Sequence, residues 1–147
     1  MLLHDQPPPR GPELVVITCG SRKLDHRAPA GELYTGSYHR ACRRAAEALE
    51  PERLLILSSA YGLLRLDDIV EPYDTAVDDP DSITAAELVA QAEVRGLRWL
   101  DPVVVFAGAG HVRLARAVWP HALSPLAGIG GMGKHIAYMN ALSKGAA

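Results

Sequence analysis

A chain of 147 residues has the length of one domain, enough to bury ~70 % of the surface its unfolded form exposes. With 48 % apolar residues, 22 % charged residues and a net charge of −2, the composition excludes an intrinsically disordered chain and offers no global attraction to a polyanion. No apolar run approaches the ~20 residues that a membrane span needs.

Residues 1–13, "MLLHDQPPPRGPE", lack the basic and apolar regions of a secretory signal and read as a disordered Pro-rich lead-in. Residues 14–147 read as a single α/β domain. Leu14-Val15-Val16-Ile17-Thr18 is a short β-branched strand of the kind buried on both faces. The segment "CGSRKLDHRAPAGELYTG" is read as loop. A helix follows from Ser37 to Leu49, with Ser37 as its N-cap. Leu54 to Leu57 is the second strand, and a long loop runs from Ser58 to Asp81. Asp81 or Ser82 then caps the helix "ITAAELVAQAEVRGLRWL", which Gly96 weakens. Val103 to Phe106 is the third strand, His111 to Val118 a helix, Ala122-Leu123 a short fourth strand, and Lys134 to Ser143 the last helix.

Strands alternating with helices predict one Rossmann-like domain: a mainly parallel sheet of three to five strands, with helices on both faces. Ligands of such sheets bind beyond the carboxyl ends of the strands. The segments leaving the strands are "CGSRK", "SSAYG", "AGAGH" and "SPLAGIGGMGK". Each is built of small residues that let a ligand approach the backbone, and helix N-termini would supply N–H groups to an anion. "CGSRK" reads as a cradle for phosphate or carboxylate, with Arg22 and Lys23 as charge partners, or as a solvated basic turn. "GIGGMGK" lacks the Ser/Thr of a phosphate-binding P-loop. Its G-x-G-x-x-G match leaves no room for the rest of a dinucleotide fold. No cofactor is therefore expected. No metal is expected either, because the six histidines show no zinc spacing and there is no C-x-x-C.

Cys19 reads either as a small buried filler or as a nucleophile, with His26, His111 or His135 as its base. Two cysteines without a disulfide framework suit free thiols and a cytoplasmic location. In "LLILSSAYGLLRLDDIVEPYD", Tyr61-Gly62 turns the chain beyond the second strand, and Leu63 and Leu64 pin the loop to the core. Pro72 then holds Glu71 extended, beside Tyr73. Glu71 is either a site carboxylate or an acceptor of backbone N–H bonds in an ordered loop.

The run "LSSAYGLLRLDDIVEPYD", with "CGSRK", "LYTGSYHRA" and "GIGGMGKHIAYMNAL", resembles stretches of the YaaA family and its small relatives. The resemblance implies a link to peroxide stress and to DNA binding. The residues themselves give two classes of function. The first is an enzyme on a nucleotide, nucleoside or modified base, of the hydrolase or N-glycosidase type, working at the carboxyl edge of the sheet. The second is a non-catalytic nucleotide- or DNA-binding stress protein of the YaaA type. Glu71 and Tyr61 are the expected catalytic groups. Cys19, Gly20, Ser21, Arg22, Lys23, Tyr34, Ser58, Ser59, Gly62, Tyr73, Gly108, His111, Gly131 and Lys134 are the expected ligand contacts. Ser21, Arg22, Ser58, Tyr61 and Glu71 should share one pocket. The expected partner is a small phosphorylated or nucleoside ligand. Nucleic acid is not favoured, because a single phenylalanine and the charge balance make a poor stacking platform. No membrane partner is expected. A homodimer is the assembly that small sheets commonly form.

Overall fold

The computed structural model describes residues 7–145. In chain order the elements are β1 (Leu14–Thr18), β2 (Ala28–Pro29), α1 (Ala30–Leu33), α2 (Ser37–Ala48), β3 (Leu54–Ser58), β4 (Gly62–Leu64), β5 (Ile69–Val70), α3 (Ala85–Val94), β6 (Val103–Phe106), α4 (Ala109–Val118) and α5 (Met132–Gly145). The main sheet runs in the order β4-β3-β1-β6. β3, β1 and β6 are parallel, and β4 folds back antiparallel on β3. This is the α/β architecture that the alternating pattern predicts.

The side-chain alternation of the strands divides the core into two halves. Val15, Ile17, Ile56, Val104 and Phe106 face one side, where α2 and α5 pack with Ala41, Cys42, Ala45, Ala46 and Met139. Leu14, Val16, Leu55, Leu57, Val103 and Val105 face the other, against α3 and α4 with Leu88, Ala92, Val112, Ala115 and Val118. All these residues are less than a tenth exposed. Each fully buried Ile, Leu or Phe among them contributes about 1.5–3 kcal/mol relative to exposure. The small residues on α2 let that helix lie close to both the sheet and α5.

Several local expectations give way to tertiary contacts. The loop expected from Ser58 to Asp81 contains β4 and β5. β5 pairs with β2, inside the segment read as loop after the first strand. The β2–β5 pairing joins residues about forty positions apart and leaves no local period to read, whereas β4 is a short return on β3 through the Ser59–Tyr61 turn. Helix α3 is capped not by Asp81 or Ser82 but by Thr84. The Thr84 hydroxyl accepts from the Glu87 amide at 3.1 Å, and the Glu87 carboxylate accepts from the Thr84 amide at 3.0 Å, a closed capping box. The same helix stops at Val94 instead of continuing to Leu100. Gly96, at φ +68°, turns the chain, so that Gly96 N–H bonds to Glu93 O and Leu97 N–H to Ala92 O. Ser37 is the first residue of α2 and not its cap. The cap position is Gly36, which has no side chain to offer. The expected fourth strand is one parallel bridge, in which Leu123 N–H bonds to Val103 O and Val105 N–H to Leu123 O.

Residues 7–13, within the segment expected to be disordered, make contacts. Gly11 N–H bonds to Leu49 O at 2.6 Å, Pro12 O accepts from Glu52, and Arg10 pairs with Glu50. Residues 1–6 of that segment lie outside the described residues. Among the described residues, no helix is long and apolar enough to cross a membrane.

Candidate active site

β1 lies in the middle of the sheet. The chain leaves it to build β3 on one side and later crosses over to build β6 on the other. The loops after β1 and β6 therefore diverge, which opens a crevice at the carboxyl end of the sheet. Cys19, the first residue after β1, sits there. Ser58 ends β3 and Ser59 follows it. Gly108 is the N-cap of α4, and His111 lies in that helix's first turn.

These three chain ends meet in a hydrogen-bonded triangle. Cys19 Sγ is 3.5 Å from His111 Nε2 and 3.5 Å from Ser59 Oγ, and Ser59 Oγ is 3.1 Å from His111 Nε2. Burial by itself raises the Cys19 thiol. The hydrogen bond and charge of His111, joined by the Ser59 hydroxyl, outweigh that and lower it from the usual 9.0 to about 6. Cys19 is thus a thiolate at neutral pH. Cys42 makes the contrast: buried among the alanines of α2, its thiol is pushed up to about 12. Of the three histidines expected as bases, His26 is an exposed partner of Asp25, and His135 bonds to the Tyr38 hydroxyl and Ile129 O. His111 alone of these bonds to the thiol.

Beside the triangle runs a chain of hydroxyls. Ser58 donates to the Tyr73 hydroxyl at 2.7 Å, and the Tyr73 and Tyr34 hydroxyls are 2.5 Å apart. Ser58 Oγ also accepts the amides of Ala60 and Tyr61, so it fastens the tip of the β3–β4 hairpin. Burial pushes the Tyr34 phenol up to about 12 and raises Tyr73 as well, and the Cys19 thiolate charge adds to both. Both phenols are therefore protonated donors. Lys23 Nζ lies 4.3 Å from the Tyr73 ring centre, in cation–π range. The exposed Tyr61 ring meets Tyr73 edge-on at 5.3 Å.

Two cavities meet at Cys19, Gly20 and Ser21. The smaller, about 270 Å³, is lined by Lys23, Ser59, His111 and the Asp74–Val77 segment. The larger, about 440 Å³, is lined by Arg22, Gly36, Ser37, Tyr38, His39, Gly108, Met132 and His135. A further hollow of about 310 Å³ at the amino end of β6, lined by Trp99, Leu100 and Trp119, holds no thiol or hydroxyl. Among the described residues, no group of His, Cys, Asp and Glu is placed to hold a metal ion.

The expected ligand contacts divide accordingly. Cys19, Gly20 and Ser21 border both cavities, Arg22 and Gly108 the larger, and Lys23, Ser59 and His111 the smaller. Tyr34, Ser58 and Tyr73 form the hydroxyl chain. The single pocket expected for Ser21, Arg22, Ser58, Tyr61 and Glu71 does not form. Glu71 is exposed and, with Tyr61, lines neither cavity, because β5 pairs with β2 and leaves Glu71 just past that short ribbon. Gly62, at φ +80°, faces Gln91 and Ile83 and not the crevice: a Cβ there would lie 2.2 Å from Gln91 Oε1. Gly131 and Lys134 are exposed and line neither cavity, and their neighbours Met132 and His135 reach the larger one instead. The residues missed in the sequence are Tyr38 and His39 on the α2 N-terminus, and the Asp74–Val77 segment. Asp74 stood in the acidic tail of the long loop; nothing local marked His39.

No curated protein and no solved structure matches the chain. Nothing in these comparisons links it to the YaaA family, so that resemblance is corrected, and the stress and DNA-binding roles drawn from it lose their basis. Residues 14–141 match the model of a family of unknown function, DUF6884, and the chain belongs to that family.

Proposed function

We propose that this protein is a small hydrolase acting on a nucleoside or nucleotide, with Cys19 as its nucleophile. The observation that carries the reading is the Cys19–His111–Ser59 triangle at the mouth of two cavities, with the thiol lowered to about 6. A thiolate attacks an electrophilic carbon without needing a base to remove its proton first. His111, hydrogen-bonded to the thiol, passes a proton to the leaving group. It then draws a proton from the water that releases the product. Ser59 holds the imidazole in place. The first amides of α4 have no intrahelical partner and belong to the same turn as His111, so they are available to a developing negative charge. Tyr34 and Tyr73 line neither cavity and brace the β3 end behind the triangle through the hydroxyl chain, and the combined size of the cavities suits a ring with a polar appendage. Two cysteines without a disulfide fit a cytoplasmic setting.

A second reading, cleavage of an N-glycosidic bond, is favoured by Asp74. It places a carboxylate on the smaller cavity that Cys19 and His111 also line, where a cationic sugar would be stabilised. Both readings are tested by incubating the protein with a panel of nucleosides, nucleotides and modified bases. Products are separated by chromatography, and Cys19 is examined for a covalent adduct by mass spectrometry. Turnover with a Cys19 adduct, abolished in Cys19→Ser, is expected. Turnover that persists in Cys19→Ser but stops in Asp74→Asn would replace the first reading by the second.

A further inference from the structure

We infer that Val77, seated on Gly110, sets the size of the group that reaches Cys19 through the smaller cavity: a narrow planar electrophile enters, and one with a bulky substituent does not. The inference rests on the Cys19 reading above and adds what selects the substrate of that thiol.

The segment between β5 and α3 is tied to the end of β3 at both of its own ends. On entry, the Tyr73 hydroxyl accepts from Ser58 at 2.7 Å and lies 2.5 Å from the Tyr34 hydroxyl. On exit, Ile83 N–H bonds to Ser59 O at 2.7 Å, and the Ser82 hydroxyl donates to the same carbonyl at 3.2 Å. Between these ties the segment bonds to itself. Asp79 N–H bonds to Ala76 O, and Ala76 N–H to the Asp79 carboxylate. Among the described residues, no hydrogen bond joins residues 74–78 to a strand or a helix.

The middle of the segment rests instead on an apolar contact. Val77 meets Gly110, which lies in the first turn of α4 beside His111. A Cβ on Gly110 would be 2.9 Å from Val77 Cγ1 and 3.8 Å from Cγ2. Gly110 has no positive φ and sits in ordinary helix, where alanine is the better residue. The missing side chain serves close approach: it makes room for Val77. Val77 in turn lines the cavity of about 270 Å³ together with Cys19, Ser59 and His111. Cys19 is only 8 % exposed, so a reagent must occupy a cavity to reach it. Valine is branched at Cβ and stiff at χ1, so it does not swing aside. Widening the cavity at this wall requires the segment to lift off α4, and its ties to Ser58 and Ser59 restrict that movement.

The test reads Cys19 in the Cys42→Ser protein with two probes that share a reacting carbon, N-methylmaleimide and N-phenylmaleimide. The thiolate adds to the ring double bond, and the adjacent carbon takes a proton from water. Rates are measured by mass spectrometry and divided by those of glutathione. The methyl probe should be preferred at least about tenfold. Val77→Ala should remove most of that preference, and Gly110→Ala, whose Cβ displaces Val77, should lower it as well. Melting temperatures supply a second readout. Gly110→Ala should lower the melting temperature of the wild type, where it unseats Val77. It should raise that of Val77→Ala, where the obstructing Cγ1 is gone and only the gain in helix propensity remains. No preference in the starting protein, or one unchanged in both variants, would overturn the inference, as would equal melting shifts from Gly110→Ala in the two backgrounds. Alkylation needs no turnover, which keeps the two failures apart. A size preference that responds to Val77, in a protein without turnover on any nucleotide, sinks the hydrolase reading alone. Turnover abolished by Cys19→Ser, in a protein whose size preference ignores Val77, sinks only the present one.

Discussion

His111 Nε2 lies 3.5 Å from Cys19 Sγ although 92 residues separate the two in the chain. The contact joins the loop after the central strand to the first turn of the helix after β6. It turns a residue that the sequence leaves open, filler or nucleophile, into an ionised thiol.

Alkylation by iodoacetamide should therefore follow a pH midpoint near 6 in the Cys42→Ser protein, with the rate flat above pH 7. Cys42, whose thiol is pushed up to about 12 in the core, should stay unlabelled in Cys19→Ser until the protein unfolds. Rates measured by mass spectrometry between pH 5 and 10 decide it. A Cys19 midpoint near 9 would remove the thiolate from the site.

Removing His111 takes away the hydrogen bond and charge that do most to lower the thiol, and leaves burial opposed by Ser59. In His111→Ala the alkylation midpoint should move well above 6, and turnover on any substrate found should fall by about 10²–10⁴-fold. Ser59→Ala should move the midpoint upward by less. Folding stability carries the same signature. A lowered thiol pKa contributes stability that is complete above pH 9 and is lost as pH falls through about 6. The wild type should lose that increment relative to Cys19→Ser in thermal melts recorded from pH 9 down to 5. Parallel melting curves for the two proteins would contradict it.

Glu71→Gln should change neither stability by more than about 0.5 kcal/mol nor turnover, because the carboxylate is exposed and lines neither cavity. Asp74→Asn should lower turnover while leaving the melting temperature close to that of the wild type. A catalytic defect in Glu71→Gln, measured under the same conditions, would restore the carboxylate that the sequence singles out.

Gly62→Ala should destabilise the fold by about 2–4 kcal/mol, since it combines a strained φ of +80° with a Cβ 2.2 Å from Gln91 Oε1. Gln91 holds the hairpin from both sides, accepting from Leu63 N–H at 3.0 Å and donating to Tyr61 O at 2.9 Å. Its replacement by alanine should cost about 1–2 kcal/mol. Denaturant unfolding of both variants checks the order. A Gly62→Ala protein as stable as the wild type would show that the hairpin tip can move.

The sequence by itself determined the architecture. Runs such as Leu14–Thr18, Leu54–Leu57 and Val103–Phe106 are apolar on both faces, which only a sheet covered on both sides can bury. The helical segments between them require parallel connections, and those connections put "CGSRK", "SSAYG" and "AGAGH" on one edge of the sheet. Cys19, Ser59 and His111 were therefore legible as neighbours of a common crevice. Their roles were not. Whether a thiol is a filler or a nucleophile depends on what lies within 4 Å of it, and for Cys19 that is set by the strand order β3-β1-β6, which brings chain ends 40 and 92 residues away to its side. Glu71 misled for the same reason: its place beside Pro72 and Tyr73 is local, but its exposure follows from β5 pairing with β2. His39 carried no local signal at all. Only the packing of α2 against the end of β1 ties its Nδ1 to Thr18 O and leaves Nε2 buried without a partner. Hydrophobic period is a property of neighbouring residues, whereas hydrogen-bond partnership and pKa belong to distant ones, so the first could be read from the chain and the second had to wait for the fold.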